Sequence, residues 1–187
     1  MPKGRPLKID IRAKIAAILQ YVGHAYGYQI YKYYKKIFGK IGLRNLYYNL
    51  KKGVETGEFI ITTVKREEGE YTWGRESQHI YYSLGPNSII YKLSERQMWL
   101  LSQLPKKEIN VDWKKEIENQ IKQINKRIDE FNSIKASLLY EDKRRNEQKL
   151  IREIENLKDW AKQKIGKNQE IKIKLAELRA KLNPHTP

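Results

Sequence analysis

Apolar residues recur at helical spacing in three successive segments near the N-terminus. Ile11, Ile15, Ile18, Leu19 and Val22 share one face of a helix over about 11–22, with Asp10 placed to cap it. The segment "GHAYG" breaks the pattern. A second helix follows from about Tyr28 to Phe38, with Ile30, Tyr31, Tyr34, Ile37 and Phe38 inward and Lys32, Lys35 and Lys36 outward. After "GKIG", Leu43, Leu46, Tyr47, Leu50 and Val54 form the apolar stripe of a third helix, leaving Arg44, Asn45, Tyr48, Asn49, Lys51 and Lys52 outside. "FIITTVK" and "HIYYSL" are β-branched and aromatic runs that predict two strands, separated by a long polar loop, "REEGEYTWGRESQ". Three helices and a two-stranded hairpin predict a winged helix-turn-helix domain over residues 9–86, preceded by a basic arm at residues 1–8.

"LGPN" marks the end of that domain, and residues 87–111 read as a connector. Within it, Ser94 and Gln97 have capping-box spacing ahead of a short helix ended by Pro105. Met98, Trp99, Leu101 and Leu104 are expected to pack on the winged domain or on a partner. From Asp112 the chain is helical and charged. Ile117, Ile121, Ile124, Ile128, Phe131 and Leu138 step by fours and threes, the a and d positions of a coiled coil. A second, out-of-phase register holds Leu150, Ile154, Leu157 and Ala161, then Ile171, Leu175, Leu178 and Leu182. A single helix over 112–183 would be about 108 Å long at 1.5 Å per residue. Two or three helices are therefore expected; at "YEDKRRNEQK" either the helix continues with its seam shifted or the chain reverses into a hairpin, and Gly166 marks another weak point. A lone seam cannot stay in water, so residues 112–183 predict a coiled-coil homodimer or another protein partner, with an intramolecular hairpin as the alternative. The fold class is mainly α with a small β-hairpin.

Charge sharpens this picture. The chain carries a formal +16 and a pI near 9.8. Residues 1–52 hold 12 Lys and Arg against one acid, Asp10, whereas the C-terminal region mixes signs. General solubility needs no such segregation; a polyanionic partner does. The outer side of the third helix offers what a major groove accepts: Arg44 and Asn45 for base edges, Tyr48 and Asn49 beside them, and Lys51 and Lys52 for phosphates. An ordinary solvated face is the alternative. Lys32, Lys35 and Lys36 are further phosphate candidates, and Lys65, Arg66 and Arg75 bracket the wing loop while Glu67, Glu68 and Glu70 turn away. "PKGRP" resembles the core of an AT-hook, with Arg5 for a narrow minor groove and Lys3 where that motif carries Arg. Tyr33 and Tyr48 are expected at the surface, and Tyr31, Tyr34 and Tyr47 in the core.

Catalysis finds little support. Cys is absent, His24, His79 and His185 are scattered without metal-ligand spacing, and no glycine-rich phosphate loop precedes a helix. Glu67, Glu68 and Glu70 cluster on a predicted loop and read as solvation. No enzyme activity, metal or cofactor is expected. No run of about 18 apolar residues exists, so no membrane span is expected. The first residues lack the apolar core of a signal peptide, which gives a cytoplasmic, nucleoid-associated expectation. Abundant Lys, Ile, Glu and Tyr suit a thermophilic source.

Three segments resemble the PadR-like winged-helix regulators. "AYGYQIYKYYKK" is similar to that family's second helix through Gly27, Tyr28 and Ile30. "LYYNLKKGVETGEFI" is similar to its third helix and turn through Leu46, Tyr47, Leu50, Lys51, Glu55, Gly57 and Ile60, and "HIYYSL" resembles its final wing strand. The resemblance covers roughly residues 9–86. Tyr48 departs from the family's usual Pro, the wing is longer and more acidic, and the C-terminal helices are longer than in compact members. It implies a dimeric, sequence-specific double-stranded DNA-binding regulator, often a repressor, with a C-terminal dimerisation region. The alternative from the residues alone is an architectural or partition scaffold whose helices recruit another protein.

Overall fold

The computed structural model describes residues 9–71, 74–89 and 91–182. The predicted arm at residues 1–8, with Lys3 and Arg5, lies outside them, as does His185. The chain divides into two compact units, Met1–Val111 and Asp112–Pro187.

The first unit runs α1 (Ile9–Val22), β1 (Ala25–Tyr26), α2 (Gly27–Phe38), α3 (Leu43–Glu55), β2 (Phe59–Tyr71), β3 (Gly74–Leu84) and α4 (Glu95–Ser102). Asp10 falls inside the first turn of α1 rather than at its cap. The apolar stripes of the first three helices meet in one core around Ile15, Ile18, Leu19, Ile30, Leu46 and Leu50, closed by Phe59 and Tyr82 from the sheet. Leu101 and Leu104 bury into the same core, so α4 and the turn after it belong to this unit. Met98 and Trp99, expected to pack beside them, are exposed. The predicted capping box is present: Ser94 N–H donates to Gln97 Oε1 (3.0 Å) and Gln97 N–H to Ser94 Oγ (3.4 Å). Backbone past the helix then runs alongside Gly23, with Lys107 N–H donating to the Val22 carbonyl.

The sheet is three-stranded and antiparallel in the order β1-β3-β2. Two features of it depart from the sequence reading. "GHAYG" contains a strand, because Ala25 and Tyr26 pair with Tyr82 and Tyr81. The long polar loop is largely ladder: pairing continues through Lys65↔His79, Arg66↔Gln78, Glu67↔Ser77 and Glu68↔Glu76 to Tyr71↔Gly74. A ladder is made by backbone groups, so polar side chains do not end it. The helix order with this sheet is consistent with a winged-helix-like fold.

The second unit contains α5 (Trp113–Ile134), a 3-10 turn (Lys135–Ser137), α6 (Tyr140–Ile165) and α7 (Gln169–Leu182). Asp112 caps α5 by accepting from Lys115 N–H at 3.0 Å, and Asn168 caps α7 through Ile171 N–H at 3.1 Å. Both sequence registers are occupied within one chain, Leu138 excepted: Ile117, Ile121, Ile124, Ile128 and Phe131 are buried, as are Leu150, Ile154, Leu157 and Trp160, and Ile171, Leu175, Leu178 and Leu182, whereas Leu138 lies half-buried in the extended turn before α6. Each of the three helices packs on the other two. The seams that predicted a coiled-coil partner are thus covered by their own neighbours, which removes the reason for expecting one. The reversal falls just before "YEDKRRNEQK": the chain turns at residues 135–139, and that segment opens α6 as continuous helix. The second break falls at Gly166, whose φ of 70° suits a helix end.

Candidate nucleic-acid interface

Gly39–Gly42 separates α2 from α3, the turn of a helix-turn-helix pair. On α3, Leu46, Asn49, Leu50 and Gly53 are buried and set the inward arc. At 100° per residue the opposite side is centred on Arg44, Tyr48 and Lys51. All three are exposed, as are Asn45 and Lys52. Asn49 does not join them. It is only 4% exposed, and its amide donates to the Asn45 carbonyl (2.8 Å) and to Asn45 Oδ1 (2.9 Å). Its place in the buried arc follows from the helical angle, so its assignment as a groove contact is corrected. Asn45 keeps its exposure while accepting these bonds.

The charges around this ridge are unequal. Lys52 Nζ lies 3.0 Å from Glu55 Oε2, with both side chains 48% exposed, so part of its charge is answered within the helix. Arg44 and Lys51 form no ion pair among the described residues. Lys32 and Lys35 are exposed on α2 with their ammonium groups over tyrosine rings, 4.9 Å from the Tyr28 centroid and 5.3 Å from that of Tyr31. Lys36 is exposed beside them. Lys65 and Arg66 are exposed on β2; Arg75 belongs to β3, and its side chain lies outside the description, as do those of Glu67, Glu68 and Glu70. These basic residues flank a ladder rather than the loop expected of them.

The aromatic side chains depart further from expectation. Tyr48 is exposed as expected, but Tyr33 is half-buried and its hydroxyl accepts from Gln29 Nε2 at 2.8 Å. Tyr47 and Leu43, expected in the core, are each 42% exposed, and Tyr28 joins them on α2. Tyr47 lies against Gly27, where any added Cβ would collide with its ring. Partial burial, with Tyr28 close by, pushes its hydroxyl pKa up.

Inside the unit, Arg12 Nε pairs with Glu58 Oε2 at 3.2 Å, joining α1 to the residue before β2. Arg12 therefore contributes nothing to the basic surface. His24 Nδ1 lies 3.2 Å from Thr62 Oγ1, and His79 stacks on Tyr26 at 4.2 Å. Among the described residues, no group of three or more His, Asp or Glu could hold a metal ion, and no helix is long and apolar enough to cross a membrane.

The first unit is thus a basic module of winged-helix-like order with one helix face turned to solvent. No family model matches the chain, and no curated protein matches it. Among solved structures it is similar to Bacillus subtilis PadR in complex with operator DNA, at 16% identity over 93% of this chain and 99% of that one, with a TM-score of 0.30. A likeness that shallow carries no weight in assigning an activity to this chain.

Proposed function

We propose that this protein binds double-stranded DNA, lays α3 in the major groove, and acts as a sequence-specific transcriptional regulator of the repressor type. The observation that carries the reading is the exposed ridge of Arg44, Tyr48 and Lys51, with Asn45 and Lys52 beside it, on a helix whose opposite side is held by the core. Glu55 is the only acid on that helix, and it is paired with Lys52. Arg44 and Asn45, near the start of α3, read base edges; Lys51, with Lys32, Lys35 and Lys36 on α2, meets phosphates. Lys65, Arg66 and Arg75 on the hairpin reach the neighbouring backbone. Two copies reading a palindrome would need half-sites about 34 Å apart or a multiple of that.

Enrichment of random duplexes by the purified protein tests the proposal, followed by titration of the winner at several salt concentrations. One enriched motif is expected, with an affinity that falls steeply as salt rises. No enriched motif together with salt-independent binding would remove the proposal. Footprints on the winner separate a regulator, which protects one site, from a spreading scaffold, which gives a growing ladder. Light scattering of the free protein and of the complex tests whether two copies bind.

A further inference from the structure

The cationic ridge on α3 has an apolar flank that phosphate binding does not explain. Leu43 and Tyr47 are each 42% exposed, Tyr48 is 53% exposed, and Tyr28 of α2 is 45% exposed next to Tyr47. Leu46, Asn49, Leu50 and Gly53 make up the buried arc of the helix, and Leu43 and Tyr47 lie at its margin, partly in solvent. The Tyr47 ring is seated on Gly27, the first residue of α2, where a side chain of any size would displace it. An aromatic and aliphatic surface therefore stands beside Arg44 and Lys51.

In the major groove only one base offers an apolar group. Guanine, cytosine and adenine present donors and acceptors, and thymine adds the C5-methyl. We propose that the flank formed by Leu43 and Tyr47, continued by Tyr28 and Tyr48, reads thymine methyl groups, so that the selected duplex carries thymines next to the base pairs met by Arg44 and Asn45. This rests on the DNA-binding reading above and specifies which bases that site takes. The adjacent charge favours this occupant over an apolar protein surface, since Arg44 and Lys51 would be buried without a counter-charge against such a partner.

The test uses the full chain and the enriched duplex. Each thymidine is replaced singly by deoxyuridine, which keeps every hydrogen bond and removes only the methyl. Affinity is expected to fall about fourfold at each contacted position, the factor for burying one methyl-sized group. That sensitivity should vanish at one position in Leu43→Ala and at another in Tyr47→Ala, with circular dichroism confirming that both variants fold. Leu43→Ala alters an exposed residue in the first turn and keeps the test open should Tyr47→Ala disturb the packing on Gly27. Unchanged affinity at every deoxyuridine overturns the inference, as does sensitivity that persists in both variants; a salt-dependent preference for the duplex would then leave the DNA-binding reading standing. Absence of duplex binding overturns both, and a flank devoted to a protein partner would show up as indifference to the methyl.

Discussion

Arg12→Met tests how the first unit is held together. It keeps most of the aliphatic volume and removes the guanidinium from a pair whose side chains are 15% and 8% exposed. Breaking a buried pair strands a charge and typically costs about 3–5 kcal/mol. Here the low end applies, about 3 kcal/mol at pH 8, because Glu58 still accepts a hydrogen bond from Thr56 Oγ1 at 3.1 Å. Acid should relieve the loss. Burial raises the Glu58 pKa above its ordinary value, against the opposing pull of Arg12 and Thr56. The folded state therefore binds a proton more readily than the unfolded chain, so Glu58 adds stability as pH falls from its raised pKa toward the usual carboxylate range, and adds none above it. Without Arg12 the pKa rises further and that window opens upward. Within it the penalty should shrink by up to about 1.4 kcal/mol per pH unit. Urea unfolding at pH 8 and pH 5.5 reads this directly, with a midpoint shift on the order of 1–3 M expected at pH 8. Adding Glu58→Gln should recover most of the loss. A loss identical at both pH values, or no recovery in the double variant, would refute the view that a stranded carboxylate is the cause.

Arg44→Ala should relax preference at one base position by about 1–3 kcal/mol, whereas Lys51→Ala should weaken all duplexes alike and lower the salt slope by about one, both read from competition titrations. Asn49→Ala should leave base preference intact and cost about 1 kcal/mol in urea unfolding, since two hydrogen bonds are lost while alanine gains in helix propensity; relaxed preference at full stability would restore Asn49 to the groove. In the helical unit, Leu157→Ala at 0% exposure should cost about 2–5 kcal/mol, and Ile173→Ala at 50% exposure about 0.5 or less, measured by far-ultraviolet dichroism.

Helices were the legible part of this chain. Ile117 through Phe131, Leu150 through Ala161, and Ile171 through Leu182 repeat at helical spacing, and each series is one buried face. The same pattern does not say what lies against it. A seam covered by a second copy and a seam covered by the next helix place identical demands on the residues, so a coiled-coil partner was inferred where α5, α6 and α7 cover one another. The hairpin failed differently. β2 and β3 extend through charged residues such as Glu67 and Glu68 because the ladder hydrogen bonds are backbone bonds, open to any side chain but proline. The two-residue β1 was too short for any pattern to register.

The solvent-facing side of α3 was legible in the sequence and misdrawn at its edges, for a geometric reason. A stripe picked by residue type takes Leu43 and Tyr47 inward because they are apolar, and leaves Asn49 outward because it is polar. The angle around α3 says otherwise. Leu46, Leu50 and Gly53 centre the buried arc, Asn49 falls within it, and Leu43 and Tyr47 fall at its margin, half in water. Asn49 is tolerated there because Asn45, one turn earlier, accepts both of its amide bonds. Tyr47 is tolerated at the margin because Gly27 leaves room for its ring. On the DNA-binding reading proposed above, Arg44 and Asn45 would supply polar contacts to base edges, and the apolar residues at the margin would add a contact of a different kind, to thymine methyl groups.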